Sequence, residues 1–182
     1  MKIVALVGSN RKESYNKKLA VYMQERYKGK LDIEILPIEQ LPMYNQDDEL
    51  NPADIVKDIK GKVLESDGIL IVTPEYNHSI PAVLKNAIDW FSRVERVMVH
   101  KPVMIAGGSG GVLGTVRAQM HLRQIMNSPG VSALTLPGNE VFIGAIQSKL
   151  DETGKLVDEA TIQFLDKVVE NFIDWIKQTK RY

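Results

Sequence analysis

The chain has 182 residues, of which 44% are apolar and 25% are charged, a composition typical of one folded domain with a sizeable core. Its 23 basic and 23 acidic residues balance, so no long-range field favours nucleic acid or an anionic membrane. The sequence has no cysteine, which excludes disulfides, thiolate nucleophiles, cysteine-ligated zinc and iron–sulfur clusters. The three histidines are scattered, and we expect no metal site.

No segment approaches the roughly 20 apolar residues that a membrane span requires. The apolar run at residues 3–7 is shorter than the core of a signal peptide, which has about 7–15 residues. We therefore expect a single domain over residues 1–182 that resides in the cytoplasm and binds neither nucleic acid nor membranes.

Hydrophobic runs and their spacing predict strands that alternate with helices along the chain. The strands are predicted at 2–7, 32–38, 68–73, 102–106 and 132–136, and the helices at 15–28, 52–65, 81–94, 115–127 and 159–178. The strands are mostly continuous apolar runs, which indicates a parallel sheet covered on both faces. We predict a three-layer α/β/α sandwich with a five-stranded parallel sheet of order 2-1-3-4-5. Ligands bind such sheets beyond the carboxyl ends of the strands.

The loop after the first strand, residues 8–14, leads directly into a predicted helix. It matches neither a Walker A loop nor a Gly-x-Gly-x-x-Gly loop, which disfavours ATP and classical NAD sites. Its side chains and the first N–H groups of the helix form a set of hydrogen-bond donors suited to a phosphate dianion. An ordinary turn with a Ser or Asn helix cap is the alternative.

Two further loops carry unusual residues at the same edge of the predicted sheet. Residues 73–81 include two prolines, and this stiff loop is suited either to line a planar ring or to serve as a polar crossover turn. Residues 107–114 are dense in glycine, which permits close approach of the backbone to a ligand or forms a flexible linker. Three such loops together favour a cofactor with both a phosphate and a ring.

These segments resemble those of the flavodoxin-like NAD(P)H-dependent FMN reductases, a family that includes quinone, azo-dye and chromate reductases. The matching segments are residues 8–16, 41–47, 74–90 and 107–111, and the similarity thins out after Gly138. The segment 74–90 is highly specific.

The resemblance implies an FMN-dependent oxidoreductase with a flavodoxin-like fold. It implies ping-pong transfer of two electrons from NADPH or NADH through FMN to quinones, azo or nitro compounds, or chromate. The implied cofactor-binding residues are Ser9, Arg11, Ser14, Tyr15 and Asn16 for the phosphate end, and Pro74, Glu75, Tyr76, Asn77, Ser79, Gly107, Gly108, Ser109, Gly110 and Gly111 around the ring.

The resemblance also implies a homodimer or a dimer of dimers. The predicted helix 81–94 is the natural contact because its apolar arc is wide, although simple burial within the chain explains the same arc.

No dedicated catalytic side chain is required when the cofactor carries the chemistry. His78 is a weak candidate for a proton donor, and lining of the site or capping of the next helix is the alternative. Glu75 is interpreted as an orienting or solvent-facing group.

Rival functions on the same fold are a flavodoxin-type electron carrier, a phospho-receiver and a flavin-dependent sensor. The zero net charge disfavours a carrier, because docking carriers usually have a strongly one-signed surface. The loop sequences lack the acidic cluster and the aspartate that a receiver needs.

Overall fold

The computed structural model describes residues 1–179. Its central sheet holds β1 (Lys2–Val7), β2 (Asp32–Leu36), β3 (Gly68–Val72), β4 (Pro102–Gly108), β5 (Leu134–Thr135) and β6 (Val141–Ile143). The strand order is β2-β1-β3-β4-β5, with β6 paired to β4, and all of these pairings are parallel. The predicted order is confirmed, but the prediction of five strands is wrong.

The sixth strand lies beside β5 along the edge of β4. β5 pairs with the start of β4 at Pro102 and Val103, whereas β6 pairs with its end at residues 106–108. The Leu136 N–H still donates to the Val103 carbonyl of β4 (2.7 Å), and the chain departs from the sheet over residues 137–140, where the Arg123 guanidinium donates to the Leu136 carbonyl (3.2 Å). β5 is also shorter than predicted, because Ser132 takes a positive φ of 43°.

Five helices cover the two faces of the sheet. They are α1 (Tyr15–Arg26), α2 (Asp54–Glu65), α3 (Ala82–Phe91), α4 (Val116–Met126) and α5 (Glu159–Thr179). Helices α1 and α5 pack on one face and α2, α3 and α4 on the other, and each face has its own apolar core. Successive residues of a buried strand point to opposite cores, so all of β3 and β4 is buried.

Helix α3 does not leave a broad apolar face unpaired. Leu84, Ala87, Ile88, Trp90 and Phe91 are all buried within the chain, and the helix ends at Phe91 rather than at the predicted residue 94. Internal packing therefore explains the apolar arc that suggested a dimer contact. Within residues 1–179, no helix is both long enough and apolar enough to cross a bilayer.

Candidate functional site

The carboxyl ends of β1, β3 and β4 lie side by side and bring the three sequence-predicted loops to one edge. The Gly8 N–H donates to the Val72 carbonyl (2.9 Å), and the Thr73 N–H donates to the Ala106 carbonyl (3.0 Å). Gly8 has no room for a side chain, since a Cβ there would lie 2.8 Å from Thr73 Oγ1. The loops therefore begin at adjacent points and diverge from there.

The loop after β1, residues 8–14, leaves most of its backbone donors unused. Among the described residues, the N–H groups of Asn10, Lys12, Glu13 and Ser14 have no acceptor. Helix α1 begins at the end of this loop, and Ser14 Oγ caps it by accepting from the Lys17 N–H (3.4 Å). Free N–H groups at a helix start form a site for anions such as phosphate.

Arg11 adds a positive charge to this loop. Its guanidinium donates to the Glu13 carbonyl and lies over the Tyr15 ring at 5.3 Å from the centroid. Arg11 has no carboxylate partner within residues 1–179. The neighbouring Glu13 carboxylate pairs instead with Lys18 (2.9 Å), which lowers the pKa of Glu13.

Both polar atoms of the Asn16 side chain are hydrogen-bonded within the chain. Its side chain is 3% exposed, its Nδ2 donates to the Gly108 carbonyl (2.9 Å), and its Oδ1 accepts from the Gly108 N–H (2.9 Å). This pair of bonds ties the start of α1 to the end of β4. Asn16 thus holds the first and third loops at a fixed separation.

The loop after β3 forms a tight turn at residues 76–79. The Tyr76 and Ser79 backbones exchange two hydrogen bonds of 2.9 Å each, and Asn77 and His78 take positive φ values of 50° and 62°. This is the pattern of a two-residue hairpin turn. The turn exposes Tyr76, Asn77 and His78 to solvent.

The Glu75 carboxylate caps helix α4. Its Oε2 accepts from the Arg117 N–H (2.9 Å) and the Ala118 N–H (3.1 Å). This supports the interpretation of Glu75 as an orienting group. On the far side of the turn, Ser79 Oγ lies 2.8 Å from Nδ1 of His121, a residue of α4 that the sequence did not single out.

The glycines after β4 serve two different purposes. A Cβ at Gly107 would overlap Thr115 Oγ1 and the Thr73 carbonyl oxygen, and one at Gly108 would overlap the Ile146 side chain. Packing within the chain therefore accounts for these two buried glycines. Gly110 and Gly111 are exposed, and their N–H groups have no acceptor in the part of the chain that the structure describes.

A segment that the sequence analysis missed holds the loop after β4, residues 109–115. The Ser109 N–H donates to the Ile143 carbonyl, the Ile146 N–H to the Ser109 carbonyl and the Ala145 N–H to the Gly111 carbonyl, each at 3.0 Å. Ser109 Oγ donates across the loop to the Gly114 carbonyl (2.6 Å). The loop is a braced structure rather than a flexible linker.

Side chains of the segment 74–90 also hold the loop after β2 in place. Asn86 Oδ1 accepts from the Tyr44 N–H (2.7 Å), and its Nδ2 donates to the Pro42 carbonyl (2.9 Å). Trp90 Nε1 donates to the same carbonyl (2.8 Å), and its ring packs edge-on against Tyr44. These residues of α3 attach the loop after β2 to the helix.

The arrangement is suited to an organic anion with a ring. Free N–H donors and a guanidinium lie at one end, and two braced loops with exposed backbone lie beside it. Among the described residues, no group of three or more histidines and carboxylates could hold a metal ion.

Comparison with known proteins identifies this chemistry. Residues 1–148 match the family model described as NADPH-dependent FMN reductase. The chain belongs to this family.

Its relatives include flavin and quinone reductases. It is 41% identical to "NADH-dependent flavin reductase subunit 2" of Lactobacillus johnsonii over 100% of both chains. It is 37% identical to a quinone reductase of Escherichia coli, covering 99% of this chain and 97% of that protein. Among solved structures, the flavoenzyme NAD(P)H:(acceptor) oxidoreductase FerB from Paracoccus denitrificans has a TM-score of 0.89 and 34% identity, with 98% of each chain covered.

Proposed function

We propose that this FMN-dependent NAD(P)H reductase acts on quinone-type acceptors, with FMN held along the carboxyl edge of the sheet by the three loops. The observation that carries the proposal is the set of unused N–H donors at residues 10 and 12–16, next to Arg11, whose guanidinium has no carboxylate partner within residues 1–179. These N–H groups lie at and just before a helix start, where a bound phosphate supplies acceptors for several of them at once.

In this proposal the loop after β1 holds the phosphate. The groups that would donate to it are the hydroxyls of Ser9 and Ser14, the Arg11 guanidinium and the backbone N–H groups of Tyr15 and Asn16. The Asn16 side chain acts indirectly, because both of its polar atoms bond Gly108.

The loops after β3 and β4 would form the walls of the ring site. Pro74, Glu75, Tyr76, Asn77 and Ser79 belong to one wall, and Ser109, Gly110 and Gly111 to the other, while Gly107 and Gly108 hold the second wall in place. Bound FMN supplies the two-electron redox chemistry. Free backbone N–H groups at Gly110 and Gly111 would stabilise negative charge that accumulates on the ring.

The exposed side chains at the edge favour flat, apolar acceptors. Tyr76 is 48% exposed, Val112 87% and Leu113 54%, and all three belong to the loops of the proposed site. Exposed apolar groups beside a binding site favour aromatic ligands over small hydrated anions. We therefore expect quinones to be better acceptors than chromate, with azo and nitro compounds between them.

We also expect the chain to form a homodimer or a dimer of dimers. Because the apolar residues of α3 are buried internally, we expect the contact to use the segments that flank this helix, where Met43 and Val94 are exposed. The cytoplasmic location stays a prediction.

A comparison of FMN with riboflavin tests the proposed binding mode, since riboflavin lacks only the phosphate. We expect FMN to bind at least about 100-fold more tightly in a fluorescence titration, because several charge-assisted hydrogen bonds are lost with the phosphate. Steady-state rates with NADH and a benzoquinone should give the parallel double-reciprocal lines of ping-pong kinetics. Equal affinity for the two flavins would contradict the phosphate assignment.

A second candidate function is an NADH-oxidising subunit that passes electrons to a partner protein. It is favoured by the name of the Lactobacillus relative, which describes that protein as a subunit. Rapid reduction of bound flavin by NADH together with turnover of small quinones at less than about 1% of the reduction rate would favour this candidate.

A further inference from the structure

The turn at residues 76–79 is held in a conformation that its residues do not favour by themselves. Asn77 and His78 have φ values of 50° and 62°, in the left-handed region where a side chain is strained. Asparagine and histidine occur there more often than most other side chains, but the conformation still costs free energy. Such a turn persists only when its surroundings determine its shape.

The first contact that determines it comes from Glu75. Helix α4 begins without a cap of its own, because the Thr115 hydroxyl accepts from Gln119 Nε2 (2.9 Å) and makes no bond to the first N–H groups of the helix. The Glu75 carboxylate, 40 residues earlier in the chain, accepts from two of those N–H groups instead. A negative charge at a helix N-terminus also interacts favourably with the helix dipole.

The second contact lies one helical turn further along α4. Ser79 Oγ and His121 Nδ1 are 2.8 Å apart. Glu75 and Ser79 flank the turn, so the helix holds it from both sides. The Arg117 guanidinium lies 3.9 Å from Glu75 Oε1 and adds an ion pair to the first contact.

We propose that Glu75 and His121 are positioning residues that fix the turn at residues 76–79 against α4 and so set the distance between the two walls of the ring site. The loop after β4 runs directly into α4, so a turn attached to α4 moves together with that loop. This inference rests on the proposed function, because it takes the turn and the loop as the walls of the flavin site.

The experiment measures amide hydrogen exchange in FMN-free protein and FMN affinity in the same variants. Glu75→Ala should accelerate exchange at Tyr76, Ser79, Arg117 and Ala118 by about tenfold or more, because it frees both the turn and the helix start. It should also weaken FMN binding by about tenfold and change the visible circular dichroism of bound FMN.

Conservative variants separate positioning from charge. Glu75→Gln keeps an oxygen that can accept from both N–H groups, so exchange at residues 76–79 and at the start of α4 should stay within about threefold of wild type. His121→Ala should accelerate exchange at Ser79 by about threefold, since Glu75 still holds the other side. His121→Ala also provides a test if Glu75→Ala does not fold, because the His121 side chain is exposed.

Asp158→Ala is the matched control. Asp158 Oδ1 caps α5 by accepting from the Thr161 N–H (3.1 Å) and pairs with Lys149 (2.7 Å), so this variant also removes a capping carboxylate and its ion pair. We expect faster exchange at the start of α5 and FMN affinity within about threefold of wild type.

Two results would overturn the inference: unchanged exchange at residues 76–79 in both Glu75→Ala and His121→Ala, or an affinity loss in Glu75→Ala no larger than in Asp158→Ala. Failure of the wild-type protein to bind FMN would instead contradict the proposed function. The exchange data would still show whether Glu75 and His121 hold the turn at residues 76–79 against α4.

Discussion

The loop after β1 and the loop after β4 lie at the same edge of the sheet but use their backbone groups differently. Within residues 1–179 both loops leave backbone N–H groups without acceptors, those of Asn10 and residues 12–14 in the first and those of Gly110 and Gly111 in the second, but the loop after β4 is also braced by bonds from residues 143–146. The first has one glycine and the second is rich in glycine. The two loops therefore differ in how firmly the rest of the chain holds them, while both offer free donors to a ligand.

Substitution of a buried glycine tests the packing side of this comparison and has the largest expected effect. Gly107→Ala should lower the free energy of unfolding by about 3 kcal/mol, because its Cβ would overlap Thr115 and the Thr73 backbone. Urea denaturation measures the change.

Gly61→Ala is the control for Gly107→Ala. Gly61 lies in α2 with no atom near its Cβ position, so this variant should gain about 1 kcal/mol from helix propensity. A Gly107→Ala protein as stable as wild type would show that the glycine is kept for a ligand and not for packing.

Asn16 links the two loops, and its removal should have the second largest effect. Asn16→Ala leaves the N–H and the carbonyl of Gly108 without their partners, which should lower the free energy of unfolding of the FMN-free protein by about 2 kcal/mol. Asn10→Ala, which removes an exposed amide from the same loop, should change it by less than about 0.5 kcal/mol. Equal stability of Asn16→Ala and wild type without FMN would mean that Asn16 serves the cofactor alone.

Substitution of Arg11 tests whether the loop after β1 binds the FMN phosphate. Arg11→Ala should weaken FMN binding by about tenfold or more, since a charge-assisted contact contributes about 1.5–3 kcal/mol. The stability of the FMN-free protein should stay the same, because Arg11 is exposed. Isothermal titration calorimetry measures the affinity.

Lys12→Ala is the charge-matched control for Arg11→Ala. It removes one positive charge from the same loop and should cost less than about threefold in affinity, because only a long-range charge is lost. Equal losses in the two variants would show that Arg11 acts only through the overall charge of the loop.

The smallest expected effect concerns the far end of α1. Asp166 accepts from the Arg26 guanidinium (2.7 Å), which lowers the pKa of this carboxyl below its ordinary value. Its contribution to stability is therefore complete above about pH 4 and is lost as the pH falls through the lowered pKa.

The Asp166→Asn variant isolates this term. Between pH 5 and 3 the wild type should lose about 0.5 kcal/mol more unfolding free energy than the variant, the usual size for an exposed ion pair. Parallel pH profiles for the two proteins would show that the pair contributes nothing.

The sequence predicted the parts of the fold that depend on local pattern. The buried runs of β1 and β3 and the apolar stripes of the helices appear where their periodicity indicated them. The three-residue strand β6 carries too short a pattern to be seen, and its place depends on pairing with the glycines of β4. Helix α3 ends at Phe91, and Val94 takes a positive φ outside it, a local backbone conformation that hydrophobic spacing does not reveal.

The candidate site likewise has features that the local sequence predicts and features that it does not. The candidate loops could be predicted because each follows a strand that ends at the same edge. The contact between Ser79 and His121 spans 42 residues, and that between Asn16 and Gly108 spans 92. Such long-range bonds have no local signature, so the bracing of the site became visible only in the folded structure.

An anaerobic absorbance experiment tests the central claim most directly. The protein is loaded with FMN, reduced with NADH or NADPH, and then mixed with a benzoquinone. We expect the nicotinamide to bleach the band of bound flavin and the quinone to restore it. A bound flavin that neither nicotinamide reduces, or a protein that binds no flavin, would contradict the central claim.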